Sequence, residues 1–405
     1  MKMRTRQIAA ATLIALSPLI AQADISNNTI KVGVLTDLSS IYSDYSGEST
    51  ILAVRMAIED AGGTINGKKI ELVSADFQNK PDVSLSIARK WIDEDGVDVI
   101  VDAPNSAVAA ALNKLVQEKN KVYLAGAVSS DLTGKFCAPT TMQFTPDTYS
   151  MAAVAAQALV QKGQKSWYSV TADYAMGHAL ERDTFSIVKA GGGTAAGSVR
   201  HPFGAADMSS FVLQAQNSKA QVLSLASARG DVQNLLRAIN EYGVNKSMQV
   251  ASLNTELLDA YKLGRKLLAG TFLTEAWYWD ANDENRAFAR RFSERHPKKF
   301  YPARGHAAHY AMMTEYLKAV KALNDDTNGK AIVDKIRSAP LNNLYTKGGK
   351  VREDGRLITD MMLVQIKGDN EPRKNDWDLY KIVATVPGDK AFRPVSESEC
   401  SLVKK

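Results

Sequence analysis

Cysteine is almost absent: Cys137 and Cys400 are the only two in 405 residues. Neither belongs to a C-x-x-C pair, which leaves dithiol redox catalysis without support. Histidine is scarce as well, and of the five only His306 and His309 stand close enough to share a helical face. That spacing lacks both an H-E-x-x-H pattern and a third ligand, so no metal is expected. No G-x-G-x-x-G or G-x-x-x-x-G-K-[ST] run occurs, so dinucleotide and nucleoside-triphosphate binding drop out and no cofactor is expected. A G-x-S-x-G elbow is missing too; the many serines do not amount to a hydrolase, and no catalytic residue is assigned.

Long apolar runs are missing beyond the first 23 residues, so no membrane-spanning helix is expected. Those first residues read as a signal peptide. Lys2, Arg4 and Arg6 give a positive start, residues 8–20 are largely apolar, and Ala21-Gln22-Ala23 offers a cleavage site. Cleavage removes three basic residues and no acidic one, halving the formal charge of +6. With no Lys/Arg cluster interleaved with aromatics, nucleic acid is not an expected partner. There is no Cys at the cleavage site to carry a lipid anchor. The periplasm of a Gram-negative cell is the expected location, with secretion beyond it as the other possibility. An oxidising compartment favours a bridge between Cys137 and Cys400, the alternative being two unpaired thiols.

The remaining chain is long for one core, so two lobes are expected. Short apolar runs at 31–35, 70–75, 97–101 and 122–127 read as strands. Helical segments at 47–61, 82–93 and 106–119 separate them, which implies a parallel sheet covered on both faces. A second series reads as strands at 166–171, 222–226 and 248–253 with helices at 174–189, 209–217 and 231–242. A strand at 270–276, helices at 285–295, 305–323 and 330–338, and a β-pair at 361–366 and 379–386 follow. The fold class is therefore α/β: two doubly wound lobes joined by a three-segment hinge. Crossings are placed near 141–146, 270–277 and 356–361. The expected parts are 24–143 and 271–355 for the first lobe, and 144–270 and 356–405 for the second.

Ligands of open α/β sheets sit at the C-terminal ends of the strands, and the residues there form the candidate site. The loop after the first strand, LSSIYSDYSG, brings Tyr42 and Tyr45, with hydroxyls and aromatic faces just before a helix start. Asn105 and Ser106 follow the 97–101 strand, where Ser106 could also be only a cap. Ala127 and Ser129 follow the next strand. In the second lobe Tyr174, Arg229, Asn254 and Thr255 occupy matching positions, and Glu256 either faces the cleft or accompanies a helix start. Arg229 could pair with a ligand carboxylate or be an ordinary surface residue. In TEAWYWD, Glu275 and Trp277 are candidates for a ligand ammonium or hydroxyl and for an apolar surface, with hinge packing as the competing role.

Together these segments resemble the periplasmic solute-binding proteins of ABC importers, specifically the Leu/Ile/Val-binding, type I class. The resemblance spans residues 28–400. It is carried by IKVGVLTDLSSIYSDYSG, AIEDAGG with NGKKIELVSAD, AVSSDLTG, TADYAMG, SLNTELLD and TEAWYWD. The tail NDWDLYKIVATVPGDKAFRP with Cys400 is similar to a subgroup that takes up aromatic or other small organic acids, in which the matching cysteine pairs with one like Cys137. The resemblance implies that Asn105, Ser106, Ala127 and Ser129 hold a ligand carboxylate, with Tyr174 across the cleft. Family members that bind amino acids present an acidic residue near 254–256. Here Asn254-Thr255 stands at the strand end with Glu256 offset, which lets an α-keto or aromatic acid compete with an amino acid. The implied partners are a small organic or amino acid and an ABC permease, and a monomer is expected. A sensory component presenting its closed form to a receptor, and more remotely a periplasmic enzyme, are the other readings.

Overall fold

A computed structural model describes residues 25–404, so the expected leader at 1–23 lies outside the described residues. Strand β1 (Thr29–Thr36) runs through a polar loop into helix α1 (Gly47–Asp60). A two-residue strand β2 (Thr64–Ile65) precedes β3 (Lys68–Asp76) and α2 (Pro81–Asp93). Then come β4 (Val99–Asp102), α3 (Ser106–Glu118), β5 (Val122–Ala125) and β6 (Thr141–Met142). The six strands form one sheet in the order β2-β3-β1-β4-β5-β6. Its centre is parallel, with Val34 opposite Val101 and Ile100 opposite Tyr123. Every residue of β4 and β5 is buried, as a strand covered on both faces requires.

The chain then crosses to a second sheet. Helix α4 (Thr148–Gln161) leads to β7 (Ser166–Ala172), α5 (Ala175–Ala190), β8 (Thr194–His201) and α6 (Ser209–Asn217). Strand β9 (Val222–Ala226), α7 (Arg229–Glu241), β10 (Gln249–Ala251), α8 (Leu257–Leu263), α9 (Arg265–Leu268) and β11 (Phe272–Glu275) follow. After β11 the chain returns to the first lobe with α10 (Asp283–Arg295), α11 (Arg304–Leu323) and α12 (Gly329–Arg337). Of these, α11 packs on α1, and α12 packs on α11 and β5. A small antiparallel sheet follows, formed by β12 (Leu341–Asn342), β13 (Lys347–Val351) and β14 (Leu357–Ile358). Finally β15 (Met361–Ile366) and β16 (Tyr380–Val386) extend the second sheet to β16-β15-β11-β10-β9-β7-β8, and α13 (Gly388–Ala391) begins the tail.

Two boundaries differ from the sequence expectation. Strand β11 pairs with β10 and β15, so the return crossing falls after Glu275, inside the expected 270–277 segment but beyond the lobe boundary drawn at 270/271. Strand β14 pairs with β13, so the last crossing lies just before Met361, inside the expected 356–361 segment but beyond the lobe boundary drawn at 355/356. Among the elements that the sequence reading missed, α4 and β8 are the longest. Helix α4 is buried almost all round, so it has no polar stripe to reveal a 3.6-residue period. Strand β8 is an edge strand whose side chains alternate between half-buried and exposed, with few large apolar residues to mark it.

The crossings are locked locally. Gln143 and Arg356, on two crossing segments, form a parallel bridge. The Gln143 amide also donates to the Ala127 carbonyl at 2.6 Å. Cys137 and Cys400 form a disulfide with Cα atoms 5.6 Å apart, tying the tail to the loop after β5 across 263 residues of sequence. The chain-entropy model puts the stabilisation from so long a loop at about 5 kcal/mol as an upper figure. Cys137→Ser is expected to lower the unfolding free energy by about 2–5 kcal/mol. Urea unfolding of the oxidised protein and the variant measures this. Equal midpoints would show that the bridge does not stabilise the fold.

Candidate functional site

The loop after β1 is shaped by one carboxylate. Asp37 accepts backbone N–H bonds from Ser39, Ser40 and Tyr42 at 3.1, 2.8 and 2.9 Å. This folds residues 38–46 back over the strand end and turns Tyr42 and Tyr45 toward the opposite lobe. The Tyr42 hydroxyl donates to the Tyr174 hydroxyl at 3.2 Å, and the Tyr174 ring packs on Phe203 at 4.6 Å between centroids. The Tyr45 hydroxyl donates to Asp259, while Lys262 pairs with Asp44 at the rim. These contacts join the lobes, so the cleft is closed.

Inside it lies a cavity of about 30 Å³ walled from both sides. Tyr45, Thr50, Asp102, Gly126, Arg304 and His309 come from the first lobe, and Arg229 and Glu256 from the second. Arg229 is 7 % exposed and lies flat on the Tyr45 ring, its guanidinium carbon 3.3 Å from the centroid. A cation over an aromatic face in a desolvated place is worth about 1–2 kcal/mol. Its Nη2 donates to Glu256 Oε1 at 3.1 Å, whereas Nε and Nη1 have no partner. Unpaired guanidinium N–H groups in a dry site are costly and suit a carboxylate.

Arg304 stands at the first residue of α11, and both its outer nitrogens are paired. Nη1 donates to the Thr274 carbonyl at 2.8 Å and to Glu275 Oε2 at 3.2 Å. Nη2 donates to Asn254 Oδ1 at 3.0 Å and lies 3.3 Å from Glu256 Oε1. Glu256 therefore sits between two guanidinium groups. Burial pushes its pKa up, but Arg304 and Arg229 outweigh that and hold it below the usual range. Glu275 also accepts from the Tyr380 hydroxyl at 3.0 Å, and for it burial wins over Arg304, raising the pKa to about 7.

The far wall is built by the ends of β4 and β5. Asp102 has a φ of 84° and Ala103 a φ of 52°, a left-handed backbone that costs of order 1–3 kcal/mol for such residues. It is held by the Gly126 N–H and the Tyr123 hydroxyl, which donate to the Asp102 carbonyl at 2.8 and 2.9 Å. Thr36 donates to Asp102 Oδ2 at 2.7 Å, and Asp102 Oδ1 lies 3.5 Å from His309 Nε2. Burial raises the Asp102 pKa to about 7 against the Thr36 hydrogen bond. Burial also lowers that of His309 to about 3, so this imidazole is neutral.

Of the twelve positions picked from the sequence, Tyr45 and Arg229 line the cavity. Tyr42 and Tyr174 form the latch beside it, while Asn254 and Glu275 hold Arg304. Thr255 is buried, its hydroxyl 2.5 Å from that of Ser252. The expected carboxylate set stands differently. Asn105 caps α3 and donates to Asn79, Ser129 caps a short turn, and the Ala127 carbonyl is taken by Gln143 and Thr145. Ser106 is buried with no partner for its hydroxyl. None of the four is on the cavity wall, where Asp102, Pro104, Gly126 and Val128 from the same strand ends stand. Trp277 faces a separate groove at the hinge, beside Tyr278 and Tyr345, and packs edge-on to Phe288. Asp102, Arg304 and His309 were not foreseen. The one signal was an arginine in the first turn of a helix, where the helix dipole disfavours a cation.

Two α/β lobes shut on a polar cavity define a solute-binding protein of the two-lobe type. A family model described as periplasmic binding protein matches residues 29–371, and the chain belongs to that family. A periplasmic binding protein from Burkholderia mallei is 42 % identical, with 93 % of this chain and 100 % of that one covered and a TM-score of 0.89. A branched chain amino acid ABC transporter periplasmic ligand-binding protein from Burkholderia xenovorans LB400 is 37 % identical, with coverage of 93 % and 100 % and a TM-score of 0.84. A solute binding protein of an ABC transporter from R. palustris, in complex with benzoate, shares the fold at 18 % identity, coverage of 92 % and 100 %, and a TM-score of 0.80. No curated protein matches the chain.

Asp102 has a stability consequence that can be measured. Its folded pKa of about 7 lies above the ordinary 3.8, so the folded state keeps the proton longer and its stability falls as pH rises from about 4 to about 7. The fall amounts to roughly 4 kcal/mol at most. Asp102→Asn is expected to flatten that stretch of the stability profile, read as urea midpoints from pH 4 to 8. A variant profile parallel to the wild type would overturn the assignment.

Proposed function

We propose that the protein captures a small carboxylate-bearing solute between its lobes in the periplasm and hands it to an ABC importer. An aromatic or keto acid is favoured over an amino acid. The observation that carries this is Arg229, a buried cation whose Nε and Nη1 are unpaired on a cavity closed by both lobes. A carboxylate oxygen would take one of those unpaired N–H groups in a charge-assisted bond. Capture would then favour closure, because Arg229 comes from one lobe and Tyr45, against which it lies, from the other.

Charge supports an anion without an amine. Glu256 is already shared by two guanidinium groups and Glu275 is held by Arg304 and Tyr380. Neither carboxylate is left over for an ammonium, which would be stranded in a dry cavity. The likeness to proteins whose structures contain benzoate and 4-hydroxybenzoate agrees with that preference, and the named transport role of the B. xenovorans relative supports delivery to an importer. The cavity is small in the closed form, so entry requires the lobes to part and reclose, as two-lobe proteins do about a hinge.

Calorimetric titration of ligand-stripped protein with short keto acids, aromatic acids and amino acids tests the reading. Binding of a carboxylic acid is expected, with compaction in solution scattering, and Arg229→Met is expected to weaken it at least about 30-fold, as loss of a buried charge partner does. A folded, stripped sample that binds no carboxylic acid, or an Arg229→Met variant with unchanged affinity, would refute it.

A further inference from the structure

The cavity wall opposite Arg229 carries a second recognition element. His309 is 3 % exposed, and its ring is oriented by its own helix: Nδ1 lies 2.8 Å from the Gly305 carbonyl oxygen. A carbonyl only accepts, so Nδ1 carries the hydrogen and Nε2 presents a bare lone pair. That Nε2 has no hydrogen-bond partner, and His309 is on the cavity wall. Asp102 Oδ1 faces the same space at 3.5 Å from Nε2, too far for a hydrogen bond between them. A Cβ on residue 126 would stand 2.1 Å from Asp102 Oδ1 and 3.0 Å from His309 Nε2, so Gly126 keeps that space open. Thr50 Oγ1, also on the wall, is buried without a partner.

Resting on the capture of a carboxylate by Arg229, we propose that His309 and Asp102 determine specificity by reading a hydroxyl on the ligand, so that the preferred solute is a hydroxy acid. The chemistry selects a hydroxyl over an amine. His309 Nε2 requires a donor. Asp102 Oδ1, 3.5 Å from Nε2 on the same wall, accepts from a donor when the carboxyl is ionised and faces an acceptor when it is protonated. A hydroxyl can meet either state with one oxygen, whereas an ammonium only donates. The left-handed backbone at Asp102 and Ala103 is consistent with the wall being held for this purpose, since such strain gathers at ligand sites.

The test uses acid pairs that differ by one hydroxyl: lactate with propionate, and 4-hydroxybenzoate with benzoate. Affinities are measured by calorimetry on ligand-stripped protein. In at least one pair the hydroxy acid is expected to bind ten to a thousand times more tightly, since an analogue lacking the hydroxyl leaves buried polar groups unpaired. His309→Phe should collapse that ratio toward one, and His309→Gln should keep part of it through its amide oxygen. The nitrogen-15 shift of His309 Nε2 in the wild-type protein supplies a readout independent of any variant: it should move from the bare to the hydrogen-bonded value on adding the hydroxy acid. Equal affinities within every pair that binds, a ratio untouched by His309→Phe, or an Nε2 shift that stays at the bare value would overturn the hydroxyl assignment and leave carboxylate capture standing. Binding of amino acids alone would overturn it in favour of an ammonium at the same wall. If no carboxylic acid of any kind binds, both readings fall together.

Discussion

Four buried charges run in a line across the cleft, Arg229 to Glu256 to Arg304 to Glu275, and the closed shape depends on them. Moving such groups out of water costs several kcal/mol each, which is recovered only if every donor and acceptor finds a partner. Arg304 comes nearer to that condition than Arg229, with partners on both outer nitrogens drawn from the ends of β10 and β11 and from the start of α8. Arg229 does not meet it, because two of its three nitrogens are unpaired. The line is therefore better satisfied at the hinge end than at the cavity. The proposed ligand carboxylate would add a partner there.

This asymmetry explains how one chain can hold two lobes firmly and still let them part. Near the hinge, Arg304 on a first-lobe helix is bound to carbonyl, amide and carboxylate oxygens of second-lobe strand ends, and Arg356 is buried between crossing segments. Toward the rim the contacts become hydroxyl pairs and half-exposed ion pairs such as Tyr42 with Tyr174 and Lys262 with Asp44. Water can replace the Lys262–Asp44 pair at little cost when the cleft opens, since exposed pairs contribute about 0–1 kcal/mol. Stability is thus concentrated where the lobes must stay together and kept low where they must separate.

Much of the frame was legible because its signals are local. Strands such as VIVD and VYLA announce themselves as short apolar runs, and the polar loop after β1 marks the mouth of the sheet. The pairing of Cys137 with Cys400 followed from compartment and family resemblance. The site was legible in outline only. Tyr45 and Arg229 line the closed cavity, while Asn105, Ser106, Ala127 and Ser129 stand one to four residues beyond its lining residues Asp102, Pro104, Gly126 and Val128. Strand side chains alternate in direction, so an offset of one residue at a strand end moves a group from the cavity to a cap or to the hinge. Strand β11 went to the wrong lobe for a related reason, since hydrogen-bond partners cannot be read from a strand taken by itself.

The sequence alone determined the class of fold, the number of lobes and the strand ends where a ligand could sit, since these depend on periodicity, turn residues and composition within short windows. Tertiary structure alone decided which charges meet. Arg229, Glu256 and Arg304 lie in different elements, and Asp102 is separated from His309 by more than half the chain. Their energies arise from burial and distance, and neither quantity exists until the two lobes have packed together.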